Sequence, residues 1–154
     1  MTSIVLFVIA YMKTGEKTLM IKRRKSDDQY GRWNGLGGKV EDNESPQEAM
    51  VREVKEESGL DVIKTRFGGV VTIAARGKIG TAVMFVFEVE KFAGNICESS
   101  EGKLAWIDDE KLRDLNLNEG DGLIFDWLAQ GRFFSGKIVR NEGGHLLNYM
   151  VDYY

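Results

Sequence analysis

Glu53, Glu56 and Glu57 stand at positions i, i+3 and i+4, the spacing at which a helix carries three carboxylates on one side within about one turn. Like charges set that closely repel. Either the face is a solvated acidic one, since Glu is a good helix former, or a cation belongs there. Arg52 and Lys55 alternate with the acids, at helical angles expected to keep them out of the group of three. Hard oxygen donors of this kind suit Mg²⁺ or Mn²⁺ better than a metal that prefers nitrogen or sulfur. Upstream, Gly35, Gly37 and Gly38 lie in Trp33-Asn34-Gly35-Leu36-Gly37-Gly38. Glycine permits backbone approaches that side chains forbid, so a glycine-lined turn beside the acids offers a carbonyl as a further metal ligand. No Gly-Lys-Ser/Thr follows a four-residue gap, which excludes a Walker A phosphate loop.

The acids lie on the best-punctuated segment of the chain. Ser45 as N-cap, Pro46 at the first helical position, Glu48 three after the cap and Gly59 past the last turn predict a helix over 46–58, with Ala49, Met50 and Val54 on its apolar side. Apolar runs over 3–11 and 17–23, separated by Lys13-Thr14-Gly15-Glu16, predict a strand hairpin, and the polar stretch 25–32 a loop. Val, Ile, Phe and Thr enrichment predicts strands over 62–75 and 81–90, and a short strand over 103–107. Asp108-Asp109-Glu110 puts acids where a helix begins. A second substantial helix is expected over 122–130, and a strand pair over 133–140 and 145–154 around Asn141-Glu142-Gly143-Gly144. Strand runs outnumber helices and are mostly hairpin-like, so the expected fold is α+β, a mixed β-sheet sandwiched between α-helices.

At 154 residues the chain has the size of one domain, expected to span 1–154. Its 43% apolar and 29% charged composition excludes disordered and membrane-protein classes. One cysteine, Cys97, cannot form an internal disulfide, and one histidine, His145, cannot supply a multi-histidine metal cluster. Cys97 reads as small and semi-buried, His145 as a turn or surface residue. The apolar run Ile4 to Ala10 has no preceding Lys or Arg and no small-residue cleavage site after it, so it reads as a buried strand rather than a signal peptide. No stretch approaches the roughly 18 apolar residues of a membrane span. A cytoplasmic protein with no membrane, nucleic-acid polymer or obligate protein partner is expected. With a net charge of −3, any anionic ligand must be held by local positive charge or by metal ions.

Gly38, five residues, Glu44, seven residues, then Arg52-Glu53-Val54-Lys55-Glu56-Glu57-Ser58-Gly59-Leu60 resembles the complete Nudix box, with nine matching positions over 23 residues. Outside the box, Trp33 to Lys39 resembles the stretch entering it in MutT-related oxidised purine nucleoside triphosphatases. Phe133-Phe134-Ser135-Gly136-Lys137 and Val151-Asp152-Tyr153-Tyr154 resemble the C-terminal part of bacterial MutX-type members.

The resemblance implies the Nudix fold and Mg²⁺-dependent hydrolysis of a nucleoside diphosphate linked to another group, with Mn²⁺ as a substitute. From a triphosphate the products are a nucleoside monophosphate and pyrophosphate, and the implied activity is clearance of oxidised purine nucleotides such as 8-oxo-dGTP. A triphosphate brings about four negative charges, and divalent metals reconcile it with an acidic site. By resemblance Glu56 and Glu57 bind metal, Glu53 is a further ligand or the general base, and the Gly38 carbonyl is a backbone ligand. Arg52 and Glu44 pair to tie loop to helix. A distant acid completes the site in some members; Glu101 occupies the similar position, with Glu98 as fallback and a solvated acid as the alternative. Arg23 and Lys39 are candidates to neutralise phosphate. Asn34 and Asp121 match base-contacting positions, and an amide can donate and accept at once. Three residues before Asp121 the relatives carry a base-stacking tryptophan; this chain has Asn118, with Tyr30 a candidate substitute. Trp33 is expected either to pack under the loop or to meet ligand, and Trp106 and Trp127 to be core. The alternatives are another nucleoside diphosphate substrate, such as ADP-ribose, a dinucleoside polyphosphate or an RNA 5′ end, or a nucleotide sensor without turnover.

Overall fold

The computed structural model describes residues 3–24, 30–76 and 80–154. Most of the loop predicted over 25–32 therefore lies outside the described residues, at 25–29, as does 77–79 of the break between the two long strands. The chain runs β1 (Ile4–Thr14), β2 (Lys17–Arg23), β3 (Trp33–Asn34), β4 (Leu36–Lys39), α1 (Pro46–Ser58), β5 (Asp61–Ala75), β6 (Thr81–Ala93), β7 (Gly102–Asp108), a 3₁₀ turn (Asp109–Asp114), α2 (Asp121–Ala129), β8 (Phe134–Arg140) and β9 (Leu146–Tyr153).

β1 organises the sheet. Its residues pair in parallel with β6 from Ile4 to Met12, antiparallel with β4 over Phe7–Ala10 and antiparallel with β2 over Met12–Thr14. The sheet runs β3-β2-β1-β6-β5-β8-β9, with β4 also beside β1 and β7 beside β2. Parallel β1/β6 and β5/β8 pairs among antiparallel ones make it mixed, as expected. Along β1, Val8, Ala10 and Met12 face one core with Leu36 and the α1 residues Ala49, Met50 and Val54. Ile9 and Tyr11 face the other core with Val71, Phe134 and the α2 residues Ile124 and Trp127. From Val8 to Met12 the strand is covered on both faces and has no polar side to display, whereas Ile4 and Leu6 at its start are exposed, contrary to the buried strand expected from Ile4 to Ala10.

Several expectations are revised. The Trp33–Gly38 stretch is not a glycine-lined turn but two short strands, because Gly35 and Gly37 let it lie flat against β1. A Cβ at Gly37 would run into the Val8 carbonyl oxygen, and one at Gly35 would stand 2.8 Å from the Ile9 and Tyr11 side chains. The acids at the end of β7 do begin a helix, the six-residue 3₁₀ helix Asp109–Asp114, pinned where Asp109 accepts bonds from Lys13 (2.8 Å) and Thr18 (2.7 Å). Cys97 is exposed rather than semi-buried. Its segment is held to the end of α1 by backbone, Cys97 N donating to the Ser58 carbonyl at 2.7 Å. Trp127 is buried in the α2-side core; Trp106 packs partly buried against the α1-side core and Trp33 against the other. Exposed His145 has Nδ1 2.6 Å from Glu119 Oε2. Among the described residues no helix is long and apolar enough to cross a membrane.

Candidate active site

α1 begins and ends as its punctuation requires. Ser45 and Glu48 form a reciprocal capping box, and Gly59 closes the helix at φ 77°, a left-handed conformation that favours glycine. Because Ala49, Met50 and Val54 anchor the helix to the sheet, the acids point to different depths. Glu57 is 2% exposed, whereas the Glu56 side chain is 57% exposed and that of Glu53 15%.

Two neighbouring strands grip Glu57. Arg23 at the end of β2 donates from Nη1 to Glu57 Oε2 at 2.7 Å, and the Gly37 N–H of β4 donates to Oε1 at 2.7 Å. Arg23 Nη2 also donates to the Gly37 carbonyl at 3.4 Å. Desolvation nonetheless dominates, pushing the Glu57 carboxyl up to about 7 against the opposing pull of Arg23. Burial raises Glu53 as well, with Arg52 opposing and the charge of Glu56 adding to it.

Arg52 overturns the expectation that helical angles exclude it from the acids. Its Nη1 donates to Glu53 Oε1 at 2.9 Å and to Glu56 Oε2 at 3.3 Å. The same guanidinium donates to both Glu44 oxygens, at 2.7 and 3.0 Å, and to the Lys39 carbonyl at 3.1 Å. Angles set by Cβ atoms do not limit a long stem that ends in a five-donor fork, and a crowd of carboxylates draws it in. The hydrogen bonds from Arg52 hold the Glu44 carboxyl down to about 2. The expected Arg52–Glu44 tie between loop and helix is thus present.

Gly38 borders Glu53, since a Cβ there would lie 2.6 Å from Glu53 Oε1. Lys39 ends β4, exposed beside these groups. Across the β2/β7 pairing Arg23 faces Gly102, and Arg24 N donates to the Glu101 carbonyl at 3.2 Å, so Glu101 is brought to the strand end that carries Arg23. Glu98 accepts from Arg24 (3.4 Å) and the Leu104 N–H (3.1 Å), a bracing position.

A second polar group forms at the N-terminus of α2. β3 is tied to the preceding segment by Trp33 N donating to the Asn116 carbonyl at 2.9 Å, and Arg32 donating to the Leu117 carbonyl at 2.7 Å. Asn118 Nδ2 lies 3.5 Å from Asn34 Oδ1, and the Asn118 side chain also bonds Asp121. Arg140, from the end of β8, donates from Nη2 to Asp121 Oδ1 at 3.0 Å and from Nε to the Glu119 carbonyl at 2.7 Å. Burial raises the Asp121 carboxyl, opposed by Arg140 and Asn118.

The donor set fits a hard divalent cation: carboxylates partly withdrawn from water, each raising another's affinity for positive charge, beside the Gly38 backbone. Among the described residues no three acidic, histidine or cysteine side chains already close on one point. Arg52 stands between Glu53 and Glu56, and Glu57 is turned to Arg23.

The NUDIX domain family matches residues 2–128 of the chain. The chain belongs to the Nudix family. This Nudix hydrolase is 31% identical over 146 residues to YvcI, an uncharacterised Nudix hydrolase of Bacillus subtilis, covering 92% of this chain and 90% of the other. It is 30% identical to the oxidised purine nucleoside triphosphate hydrolase of Danio rerio, over 88% of this chain and 85% of that protein. The CTP pyrophosphohydrolase of Escherichia coli is 31% identical over 74% of this chain and 83% of its own length. In structure it is similar to the MutT protein of Bacillus halodurans, with TM-score 0.85 and 27% identity, covering 96% of this chain and 97% of that one. The Nudix fold expected from the sequence is therefore the fold of the chain.

Within this hydrolase the structure brings Glu53, Glu56, Glu57, Gly38, Lys39 and Arg23 together at one end of α1, and Asn34 and Asp121 together through Asn118. Tyr30 is 67% exposed in the turn before β3. Sequence reading missed Arg140. It follows the Phe133–Lys137 stretch by three residues, but nothing in that stretch singles it out, and the β5/β8 pairing that ends at Ala75–Arg140 carries it to α2.

Proposed function

We propose that the chain is a Mg²⁺-dependent nucleoside triphosphate pyrophosphohydrolase that releases a nucleoside monophosphate and pyrophosphate, with oxidised purine nucleotides such as 8-oxo-dGTP as favoured substrates. The observation that carries this reading is the pairing of two groups: the acids of α1 at one end, and Asn34 with Asp121 gathered around Asn118 at the other. The first suits a phosphate chain, the second the hydrogen-bonding edge of a base.

Glu53, Glu56, Glu57, the Gly38 carbonyl and Glu101 would hold the metal, Mg²⁺ or Mn²⁺. When bound, it neutralises phosphate charge and lowers the pKa of water. Glu53 or Glu101 takes the proton of the attacking water as general base. Arg23 holds Glu57 in place and, with Lys39, adds positive charge to the phosphate approach. Arg52 and Glu44 brace the loop against α1. The whole chain, 1–154, acts as one domain in the cytoplasm, on small nucleotides rather than nucleic-acid polymers and without an obligate protein partner.

A second reading, a Nudix hydrolase of another nucleoside diphosphate substrate, is favoured by Asn118, which takes the place of a stacking surface. Aromatic stacking is worth about 1–3 kcal/mol per base in single-strand binders. The CTP pyrophosphohydrolase among the relatives points the same way. A panel of 8-oxo-dGTP, dGTP, dATP, CTP and ADP-ribose, with pyrophosphate and monophosphate release measured in Mg²⁺, separates the two. The first reading expects kcat/KM for 8-oxo-dGTP to exceed that for dGTP by about tenfold or more, the lower end of what one stacking or hydrogen-bonding contact supplies. Equal values would overturn it.

A further inference from the structure

We propose that the part of the sheet left bare beside α1 is a self-association surface, on which a second copy of this chain stacks its own sheet about a two-fold axis. The inference is independent of which nucleotide the hydrolase takes.

α1 covers only part of its side of the sheet, where Ala49, Met50 and Val54 meet Val8, Ala10 and Phe87. Beyond it the strand register lines up side chains that stay wholly or partly exposed. One row crosses five strands as Leu6, Val83, Thr72, Lys137 and Met150. The row beside it holds Ile4, Thr81, Ala74 and Val139. On the other flank Phe67 stands between Phe87, stacked at 5.0 Å, and Phe133, edge-on at 5.1 Å. A sheet face that meets only water is expected to carry polar side chains. Here Ile4 is 65% exposed, Met150 56% and Phe67 44%. An apolar area this continuous marks a contact surface.

Charge points to a second copy as the occupant. Lys137 and Asp152 are the charged side chains among the described residues of this face, one of each sign. Both are exposed, and among the described residues neither has an ion-pair partner. Asp152 stands two residues beyond Met150, which pairs with Lys137, so the two charges are diagonal neighbours on β8 and β9. A two-fold axis passing between them sets Lys137 against Asp152 of the second copy and Asp152 against Lys137 of the second copy. The face is therefore complementary to itself.

Shape and size agree. Sheets stack face to face at about 10 Å with their side chains interdigitated. Five strands about 4.8 Å apart, each contributing about six residues, give a footprint of roughly 500 Å². A standard stable interface buries about 800 Å² per partner, so the expected dimer is a reversible one, with a Kd of about 10–100 µM.

The test is sedimentation velocity on the full chain from about 2 to 300 µM, a range that brackets this Kd. Wild type should pass from monomer to dimer across it. Met150→Glu and Ile4→Glu, which bring a charge to the apolar contact, should each raise Kd at least tenfold. Lys137→Asp and Asp152→Lys should each weaken self-association about tenfold, because either change sets like charges together twice. Mixed one to one, these last two variants should recover the wild-type affinity as a dimer with one copy of each. All four positions are exposed, so thermal melts should match wild type, and the charge pair serves if an apolar-site variant does not fold. A monomer at every concentration, which would leave the face to a different protein, overturns the proposal. So does a dimer that none of the changes weakens, since another surface would hold it, and so does failure of the mixture to recover, since no two-fold axis would then pass between the charges.

Discussion

Glu57→Gln is expected to lower kcat/KM by about 10²–10⁴-fold, the range for loss of a group on which proton transfer or metal placement depends. The variant is nearly isosteric, but its single amide oxygen can accept from only one of Arg23 and the Gly37 N–H, which hold the two wild-type carboxylate oxygens at 2.7 Å each. One donor then loses its acceptor, a cost of about 1–3 kcal/mol against the ionised wild type. The folded state holds the Glu57 proton up to about pH 7, against the 4.5 of an ordinary Glu. A raised acid means that the folded state binds its proton more tightly than the unfolded chain, so ionisation costs stability progressively as pH rises from about 4.5 to about 7. The full cost is about 3 kcal/mol at about 1.4 kcal/mol per pKa unit. The glutamine variant escapes it. In metal-free buffer the variant should gain on wild type as pH is raised from 5 to 8, and Mg²⁺ should stabilise wild type more at pH 8 than at pH 5, because a ligand must be deprotonated to bind. Urea unfolding at both pH values checks this. Loss of stability with unchanged turnover would mean that Glu57 is a scaffold residue.

Arg23→Leu should have the largest effect on stability. Arg23 is the cation bonded to Glu57 and is itself only 20% exposed in its side chain. Removing one partner of a buried pair leaves the other charge uncompensated, at about 3–5 kcal/mol. The loss should be smaller at pH 6 than at pH 8. Arg23 lowers the Glu57 pKa, so its removal lets Glu57 take a proton at higher pH and shed the unpaired charge. Denaturant midpoints of the variant at the two pH values read this directly. A cost below about 1 kcal/mol, or one independent of pH, would show that Glu57 does not depend on Arg23.

What could be read from the residues divides along the range of the interactions. α1 was legible to the residue because its signals, Ser45, Pro46, Glu48 and Gly59, are local and mutually consistent. β1 was legible as a strand from its apolar run, although it extends to Thr14, past the expected end at residue 11 and into the expected connection. β3 and β4 were not, because glycines that look like a turn in sequence here serve close packing against β1, and only the partner strand reveals which. The acids of α1 could be placed on one face, but the reach of Arg52 into them could not, because backbone periodicity fixes Cβ positions and not the end of a long side chain. The grip of Arg23 on Glu57 and of Arg140 on Asp121 are contacts between distant strands and helices, with no spacing rule behind them.

The most direct measurement is product analysis with and without a divalent cation. Folded protein is incubated with 8-oxo-dGTP and dGTP in Mg²⁺, in Mn²⁺ and in excess chelator, and nucleoside monophosphate, pyrophosphate and phosphate are quantified. Monophosphate and pyrophosphate should appear in equal amounts with either metal and disappear with chelator. Sustained cleavage in chelator, or no cleavage of any nucleotide at saturating metal, would contradict the assignment of the α1 carboxylates as a seat for the ion.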